Sequence, residues 1–192
     1  VLDMSGLVIL VIIQMIYAMK MARSNRALEK KAYIDMHTGL PNKSRCEEIL
    51  NDTEVICETT ACMMFDLNNL KVVNDTKGHS AGDQLIFDFA QLLRQTIPEK
   101  YFVGRYGGDE FMAVIYDTNK QEIEEILEKL CIEIERHNHN ENTEAISYAH
   151  GWALSNEYEN CSMQMLFDRA DCYMYENKQL CKKRERYAAK NI

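Results

Sequence analysis

The residues best suited to chemistry follow one another at a single turn, Gly107-Gly108-Asp109-Glu110. Apolar, strand-like sequence precedes this turn at residues 101–103 and follows it at residues 111–115. A glycine lets a ligand approach the backbone where any side chain would block it. Carboxylates beside such a backbone suit a hard cation such as Mg²⁺, which in turn binds phosphates. The pattern therefore favours a metal–nucleotide site, although a plain hairpin turn also uses paired glycines.

A second acidic residue, Asp66, ends an apolar run of strand length at residues 61–65. The sequence from there to residue 83 is dense in Asn, Asp, Gly and Lys. A carboxylate at the end of a strand, beside the glycine turn of a neighbouring strand, could complete a metal site. A lone Asp in this position more often caps a helix or forms a turn. The polar density here exceeds what one turn needs, which favours the metal site.

The segment Gly107–Phe111 is the motif that names the GGDEF family of diguanylate cyclases, and the chain resembles that family in three further blocks. These blocks occur in the family's order, at residues 35–42, 66–83 and 170–178, and the whole resemblance covers about residues 33 to 185. It implies an α+β fold that is palm-like and ferredoxin-related, with an antiparallel sheet flanked by helices. In this chain an N-terminal apolar helix is expected to precede that domain.

The hydrophobic periodicity gives a matching order of elements. It predicts helices at residues 43–50, 80–96, 121–137 and 162–183, and strands at residues 60–66 and 144–154 and on both sides of the glycine turn. In the last helix the inward residues are predicted to be Leu166, Ala170, Met174 and Tyr175.

The resemblance implies that two GTP molecules condense into cyclic di-GMP with release of two pyrophosphates. It makes the carboxylates of Asp66, Asp109 and Glu110 and the backbone carbonyl of Leu67 the metal ligands, with Mg²⁺ as the expected ion and Mn²⁺ as the alternative. Asp109 and Glu110 are the catalytic residues on this basis. Because charge builds on phosphoryl oxygens, positioning and electrostatics should supply most of the catalysis.

Two residues of the second block, Asn74 and Asp83, match the positions that recognise the base. A carboxylate can accept hydrogen bonds from guanine N1–H and the exocyclic amine together, and Asn can pair with the remaining edge. Adenine lacks that pair of donors, so Asp83 favours GTP over ATP. Asp83 could also serve only as a carboxylate near a helix N-terminus.

The remaining substrate-binding residues are expected to act on phosphate. Lys178 and Lys182 lie four residues apart, on one face of the last predicted helix, at the family's phosphate-binding positions. Lys182 stands where the family often has Arg, so it offers a point charge in place of a two-pronged donor. Gly107 and Gly108 complete this set, because their backbone can approach the nucleotide.

Three positions depart from the family pattern. Asn68 replaces the second Asp of a frequent Asp-x-Asp pair, and Lys43 replaces an Arg; both changes are expected to be mild. Many members carry an Arg-x-x-Asp site for product inhibition before the glycine turn. The matching residues here are 98–101, Pro-Glu-Lys-Tyr, so product inhibition at that site is predicted to be absent.

Composition restricts the class of protein. The chain has 192 residues, is 46% hydrophobic and carries a formal net charge of −8, which argues against a nucleic-acid binder. Its seven cysteines form no metal-binding pattern and indicate reduced thiols, several of them in the core.

The N-terminal 22 residues differ from the rest, since residues 7–13 are unbroken aliphatic and basic residues follow from Lys20 onward. This pattern favours the end of a transmembrane helix with a cytoplasmic flank, although the apolar run is shorter than a full span. The alternative is an amphipathic helix that pairs with a partner chain. The expected division is therefore an apolar helix at 1–22, a helical signalling linker at 23–34 and the catalytic domain at 35–192, at the cytoplasmic face of the membrane.

One domain binds one GTP, so two copies must meet for catalysis, and a homodimer is the expected partner arrangement. The principal hypothesis is an active cyclase controlled by dimerisation. Its rival is a catalytically silent GTP-binding module that acts on a partner, and a weaker third hypothesis is a cyclase with a different product. The intact acidic residues at 66, 109 and 110 favour the enzyme.

Overall fold

A computed structural model of the chain describes residues 8, 11–21, 32–51, 56 and 59–190, with side chains described up to residue 180. The strands are β1 (Ala61–Leu67), β2 (Phe102–Arg105), β3 (Glu110–Ile115) and β4 (Tyr148–Leu154). The helices of the domain are α1 (Lys43–Leu50), α2 (Leu70–Lys77), α3 (His79–Thr96), α4 (Lys120–Asn138) and α5 (Met163–Lys190), with a 3-10 turn at Ser155–Glu157.

The four strands form one sheet in the order β2-β3-β1-β4, and every neighbouring pair is antiparallel. The central strand β1 is buried along its whole length because helices cover both faces of the sheet. Its side chains alternate: Met63 and Phe65 pack with residues of α3 and α4, while Cys62 and Met64 pack with residues of α1 and α5. The expected antiparallel sheet flanked by helices is confirmed.

Helix α5 approaches the sheet unusually closely, over Gly151 of β4. A Cβ atom at Gly151 would lie 2.2 Å from the backbone nitrogen of Met174 and 2.3 Å from the carbonyl oxygen of Ala170. Only glycine therefore allows this packing. The contact holds α5 beside β1, which places residues 171–179 of the helix near the end of that strand.

The predicted inward face of α5 needs one correction. Leu166, Ala170 and Met174 are buried, as expected from their spacing of four residues. Tyr175 is 61% exposed, so its predicted inward position was wrong. One residue further along a helix is about 100° further round it, which turns Tyr175 away from the sheet that buries Met174.

Most element boundaries agree with the sequence to within a few residues. The exceptions are α2, which was not predicted, α5, which continues to Lys190, and β4, which begins at Tyr148 and not at residue 144. The residues before β4 are held by Asn138, whose side chain bonds both the backbone N–H and the carbonyl of Ile146. They therefore form a connection to α4 and do not join the sheet.

Of the predicted N-terminal helix, residues 11–21 are described, and they are helical and exposed. The rest of residues 1–22, apart from residue 8, lies outside the described residues, as does most of the predicted linker at 23–34. Among the described residues no helix is both long enough and apolar enough to cross a membrane.

The described cysteines are all free. Cys46, Cys62 and Cys161 are buried, which confirms that several cysteines fill the core. Burial raises the pKa of the Cys46 thiol to about 12, so this thiol stays protonated and unreactive at neutral pH.

Candidate active site

The glycine turn connects β2 to β3 and closes on Glu110. The backbone N–H groups of Tyr106 and Gly107 both donate to the carbonyl oxygen of Glu110, at 2.8 and 3.0 Å. A Cβ atom at Gly107 would lie 2.6 Å from Oε2 of Glu110, so this glycine lets the carboxylate fold back over the turn. Gly108 is exposed, and a Cβ atom there would meet nothing within 4 Å. The two glycines therefore differ: Gly107 accommodates Glu110, and Gly108 leaves the turn open to solvent.

Arg105 braces this turn from behind. Its Nε donates to the carbonyl of Gly107 at 3.1 Å, and its Nη2 donates to the carbonyl of Gly108 at 2.7 Å. The same guanidinium pairs through Nη1 with both carboxylate oxygens of Asp35, at 3.2 and 3.3 Å. These bonds fix the orientation of the peptide groups at the turn. Sequence reasoning assigned no role to this pair.

Asp35 is itself fixed by local hydrogen bonds. It accepts from the backbone N–H of Thr38 at 2.8 Å and from the hydroxyl of Thr38 at 2.7 Å. Burial alone would raise the pKa of Asp35, but the bonds from Thr38 and the charge of Arg105 outweigh it and lower the pKa. The carboxylate is thus held ionised as the counterion of Arg105.

The register of the sheet brings the predicted metal ligands to one edge. Asp66 of β1 pairs directly with Glu110 of β3, and the Leu67 N–H donates to the Asp109 carbonyl at 2.9 Å. Even-numbered residues of both strands face α5, so the Asp66 and Glu110 side chains lie on the same face. All four predicted ligands, Asp66, Leu67, Asp109 and Glu110, are therefore adjacent.

Burial and the neighbouring negative charges together raise the pKa of Glu110. Burial raises it most, and the neighbouring carboxylates of Asp109, Asp66 and Asp171 raise it further, while Lys178 lowers it. Like charges that face each other across two strands repel. This edge of the sheet thus favours a cation or a proton.

Lys178 of α5 supplies a positive charge at this edge. Its ammonium lies 2.5 Å from Oδ1 of Asp66, whose side chain is only 8% exposed. The two residues border a cleft of about 530 Å³ together with Glu110, Asp171 and Tyr175. Lys182 follows one turn later in α5, and its side chain lies outside the described residues. The structure thus places Lys178 beside the carboxylates, whereas the role of Lys182 stays a prediction.

Asp171 is a residue of the cleft that sequence reasoning did not single out. Burial raises its pKa, as do the charges of Asp168 and Asp66. It falls within the third family block at residues 170–178, and its position one turn before Tyr175 on a helix gave no signal of its own. Its place in the cleft follows from the close packing of α5 on β4.

The donor set suits Mg²⁺ because it consists of carboxylate and carbonyl oxygens. Among the described residues, however, no three His, Cys, Asp or Glu side chains converge as a metal site. The reason is visible in two contacts: Asp66 is paired with Lys178, and Glu110 is folded over Gly107. The set fits the ion chemically, and binding requires these side chains to turn toward it.

The predicted base-recognition pair lies beyond the same end of β1. Asn74 belongs to α2, and Asp83 lies in the N-terminal part of α3. The side chain of Asn74 packs on Gly82, where a Cβ atom would lie 2.0 Å from Asn74 Oδ1. The structure thus brings Asn74 next to the residue that precedes Asp83, and base recognition by the pair stays a prediction.

Asn68 is bonded to Ser147, the residue before β4. Its amide Nδ2 donates to Oγ of Ser147 at 3.1 Å, and its backbone N–H donates to the Ser147 carbonyl at 2.8 Å. It therefore tethers the end of β1 to the start of β4. This contact explains why an amide is accommodated at a position where the family often has Asp.

In the segment that replaces the family's inhibitory motif, residues 98–100 are exposed and Tyr101 is buried. Tyr101 stands in the position of its Asp, is only 8% exposed, and donates from its hydroxyl to Glu122 of α4 at 2.7 Å. Glu122 also accepts from Thr118 at 3.0 Å. The side chain of Tyr101 thus packs in the core and is bonded to α4.

Comparison with known proteins gives a family match over most of the chain. Residues 32–184 match the model of the family described as "Diguanylate cyclase, GGDEF domain". "Signaling protein YkoW" of Bacillus subtilis (strain 168) is 30% identical over 183 residues, which are 90% of this chain and 22% of that protein. "Diguanylate cyclase DgcN" of Escherichia coli (strain K12) is 29% identical over 171 residues, which are 84% of this chain and 41% of that protein.

The solved structures show the same fold. The coiled coil and GGDEF domain of DgcB from Caulobacter crescentus, in complex with c-di-GMP, superposes with a TM-score of 0.78 at 22% identity, over 91% of this chain and 95% of that one. The chain spans about a fifth to two fifths of the length of the curated relatives named above. On the match over residues 32–184, the chain belongs to the GGDEF domain family.

Proposed function

We propose that this chain is a diguanylate cyclase that condenses two GTP into cyclic di-GMP and two pyrophosphates. The observation that carries the proposal is the pairing of Asp66 with Glu110 across β1 and β3, beside a glycine turn and under Lys178. Relatives named diguanylate cyclases, such as DgcN, support the same activity.

The proposed roles follow from the positions of the residues. Asp66, Asp109, Glu110 and the carbonyl of Leu67 would hold Mg²⁺, or Mn²⁺ as the alternative, and the ion would neutralise charge on the phosphates when bound. Gly108 opens the backbone of the turn to the nucleotide.

The base and the phosphates are bound by two further groups of residues. Asp83 accepts from guanine N1–H and the exocyclic amine, and Asn74, packed on Gly82, pairs with the remaining edge. Lys178 and Lys182 bind phosphate from α5 as point charges. The base is thereby held beyond β1 and the phosphates beside the carboxylates.

In the reaction, the 3′-oxygen of one GTP forms a bond to the α-phosphorus of the other, and the bond from that phosphorus to pyrophosphate breaks. The proton of the 3′-hydroxyl passes to Glu110, which lies at the edge of the sheet where the ion would be held. The 3′-hydroxyl of the second GTP then attacks the α-phosphorus of the first in the same way, which releases the second pyrophosphate and closes the ring.

Each domain offers one such site, so the reaction needs a homodimer in which two sites face each other. We propose that the N-terminal segment brings the two copies together at the cytoplasmic face of the cell membrane. Relatives named membrane proteins support this location, such as "Uncharacterized membrane protein SSP1970" of Staphylococcus saprophyticus subsp. saprophyticus (strain ATCC 15305 / DSM 20229 / NCIMB 8711 / NCTC 7292 / S-41), which is 29% identical over 152 residues.

The second candidate function is a silent GTP-binding module. The observation that favours it is the ion pair between Lys178 and Asp66, which must open before either residue binds its proposed ligand. The two candidates are separated by incubating the full chain with GTP and Mg²⁺ and identifying the products by mass, beside the double variant Asp109→Asn, Glu110→Gln. A cyclase yields cyclic di-GMP from the wild type alone. A silent module binds GTP and leaves it unconverted, even when a fused coiled coil enforces dimerisation.

A further inference from the structure

Residues 34–41 form a closed loop between the linker and α1. Its ends meet in an antiparallel bridge between Ile34 and Pro41. Inside it, the Asp35 N–H donates to the Leu40 carbonyl and the Gly39 N–H donates to the Asp35 carbonyl, both at 2.8 Å. The ion pair of Asp35 with Arg105 fixes the loop to the glycine turn. A residue at the tip of this loop therefore has a defined position.

His37 lies at that tip and reaches α3. Its Nε2 is 2.8 Å from the main-chain carbonyl oxygen of Asp83. Because a carbonyl only accepts hydrogen bonds, Nε2 must carry the proton and donate. The imidazole also packs edge-on against the ring of Phe87, with 6.2 Å between centroids and 68° between planes. Asp83 and Phe87 are one turn apart on α3, so His37 spans the turn that follows Asp83.

The carboxylate of Asp83 depends on this backbone for its position. Within the part of the chain that the structure describes, no hydrogen bond or ion pair holds the side chain of Asp83. Its orientation is set by the first turns of α3, where Leu85 and Ile86 are buried in the core. Close to Asp83 itself, Asn74 packs on Gly82, and His37 binds the carbonyl of Asp83.

We propose that His37 is a positioning residue for guanine recognition, acting through the Asp83 backbone to align that carboxylate with the base. The inference rests on the proposed function, since it concerns the same nucleotide. Asp83 gains its selectivity by accepting from N1–H and the exocyclic amine at once, which requires correct alignment of both oxygens. A misaligned carboxylate keeps one of these bonds and loses the other. Inosine triphosphate lacks the exocyclic amine, so the preference for GTP over inosine triphosphate measures whether His37 keeps the carboxylate aligned.

The test compares three single variants of the full chain. His37→Leu keeps an apolar side chain against Phe87 but removes the donor, and His37→Gln restores an N–H donor. His139→Leu is the matched control, because the His139 imidazole makes the same kind of bond, from Nδ1 to the Glu135 carbonyl at 2.6 Å, after α4. The dissociation constants for GTP and for inosine triphosphate are measured with Mg²⁺ at protein dilutions at which no product forms, and KM, kcat and Tm are measured separately.

We expect His37→Leu to reduce the GTP preference about fivefold, as for the loss of one hydrogen bond, with a smaller change in kcat. His37→Gln should recover most of the preference, and His139→Leu should keep it. The inference is overturned if His37→Leu keeps the wild-type preference, if Gln does not recover it, or if the wild type shows none. Because binding is measured without turnover, a chain that prefers GTP but makes no cyclic di-GMP contradicts only the proposed function.

Discussion

The ammonium of Lys178 lies 2.5 Å from Oδ1 of Asp66, so the cation proposed to bind phosphate is paired with the carboxylate proposed to bind metal. The two residues are 112 positions apart in the chain and meet because α5 packs over Gly151. An ion that binds Asp66 must displace Lys178, and the freed ammonium is then available for phosphate. Metal and nucleotide binding are therefore expected to be coupled through this pair.

Replacing Lys178 by Met tests this coupling. Without its partner, Asp66 should bind Mg²⁺ more tightly in the absence of nucleotide, measured by titration calorimetry. The KM for GTP should rise about tenfold, which corresponds to about 1.4 kcal/mol. Lys120→Met, which removes an exposed ion pair with Glu124 on α4, is the control. Weaker Mg²⁺ binding in Lys178→Met would contradict the coupling.

The raised pKa of Glu110 predicts how stability depends on pH in the absence of metal. Because burial and the neighbouring carboxylates raise this pKa in the folded state, the folded protein holds the proton more tightly than the unfolded one. The stabilisation from that proton is fully present at low pH and is lost as the pH rises from the ordinary carboxyl value through the raised one.

The variant Glu110→Gln has no carboxyl proton to lose, so its stability does not fall in this way as the pH rises. Its Tm should exceed that of the wild type by about 2 °C at pH 7, and the two Tm values should converge near pH 4. Added Mg²⁺ should raise the wild-type Tm and act weakly on the variant. Glu128→Gln, at an exposed carboxylate of α4, should change neither value. Equal Tm values for wild type and Glu110→Gln across this pH range would contradict the raised pKa of Glu110.

Arg105→Lys tests the brace of the glycine turn. The guanidinium bonds two carbonyls and Asp35 at once, a geometry that an ammonium cannot reproduce. Turnover should fall about tenfold or more, since bonds to charged groups contribute roughly 1.5–3 kcal/mol each. In a double-mutant cycle with Asp35→Asn, the two losses should not add, because both variants break the same contact. If the losses of turnover in the two variants were fully additive, Asp35 would not act through Arg105 on the turn.

The burial of Tyr101 supports the predicted absence of product inhibition at the position of the family's inhibitory motif. Its hydroxyl bonds Glu122 and its ring is in the core, so neither group is available to a ligand. Initial rates should therefore stay constant as cyclic di-GMP is added up to concentrations that compete at the active site. Noncompetitive inhibition, with micromolar binding outside the active site, would contradict this expectation.

Much of the site could be predicted because its signals are local. Gly107, Asp109 and Glu110 are consecutive or nearly so, and Asp66 ends an apolar strand, so residue type and order sufficed. The contacts of Arg105 with Asp35 and of Lys178 with Asp66 could not be predicted, because they join residues 70 and 112 positions apart. Such pairs depend on the register of the sheet and on the packing of α5.

Physical reasons also explain why helix α2 and the exposed position of Tyr175 were not predicted from the sequence. Helix α2 is only eight residues long and rich in Asn, Asp and Thr, which favour turns, so its pattern resembled a loop. It folds because Leu70 and Val73 pack against the core. Tyr175 was predicted to be buried because it is an aromatic residue next to Met174. In the structure α5 lies so close to β4 at Gly151 that only a narrow face of the helix contacts the sheet.

We propose that this site makes cyclic di-GMP between two copies of the chain. The proposal is tested by the initial rate of cyclic di-GMP formation, quantified by mass, at saturating GTP and Mg²⁺ over a wide range of protein concentration. The rate should rise about with the square of concentration while the protein is mostly monomeric, and the double variant Asp109→Asn, Glu110→Gln should form no product. GTP that binds but stays unconverted at every concentration, or product that still forms in the double variant, would contradict it.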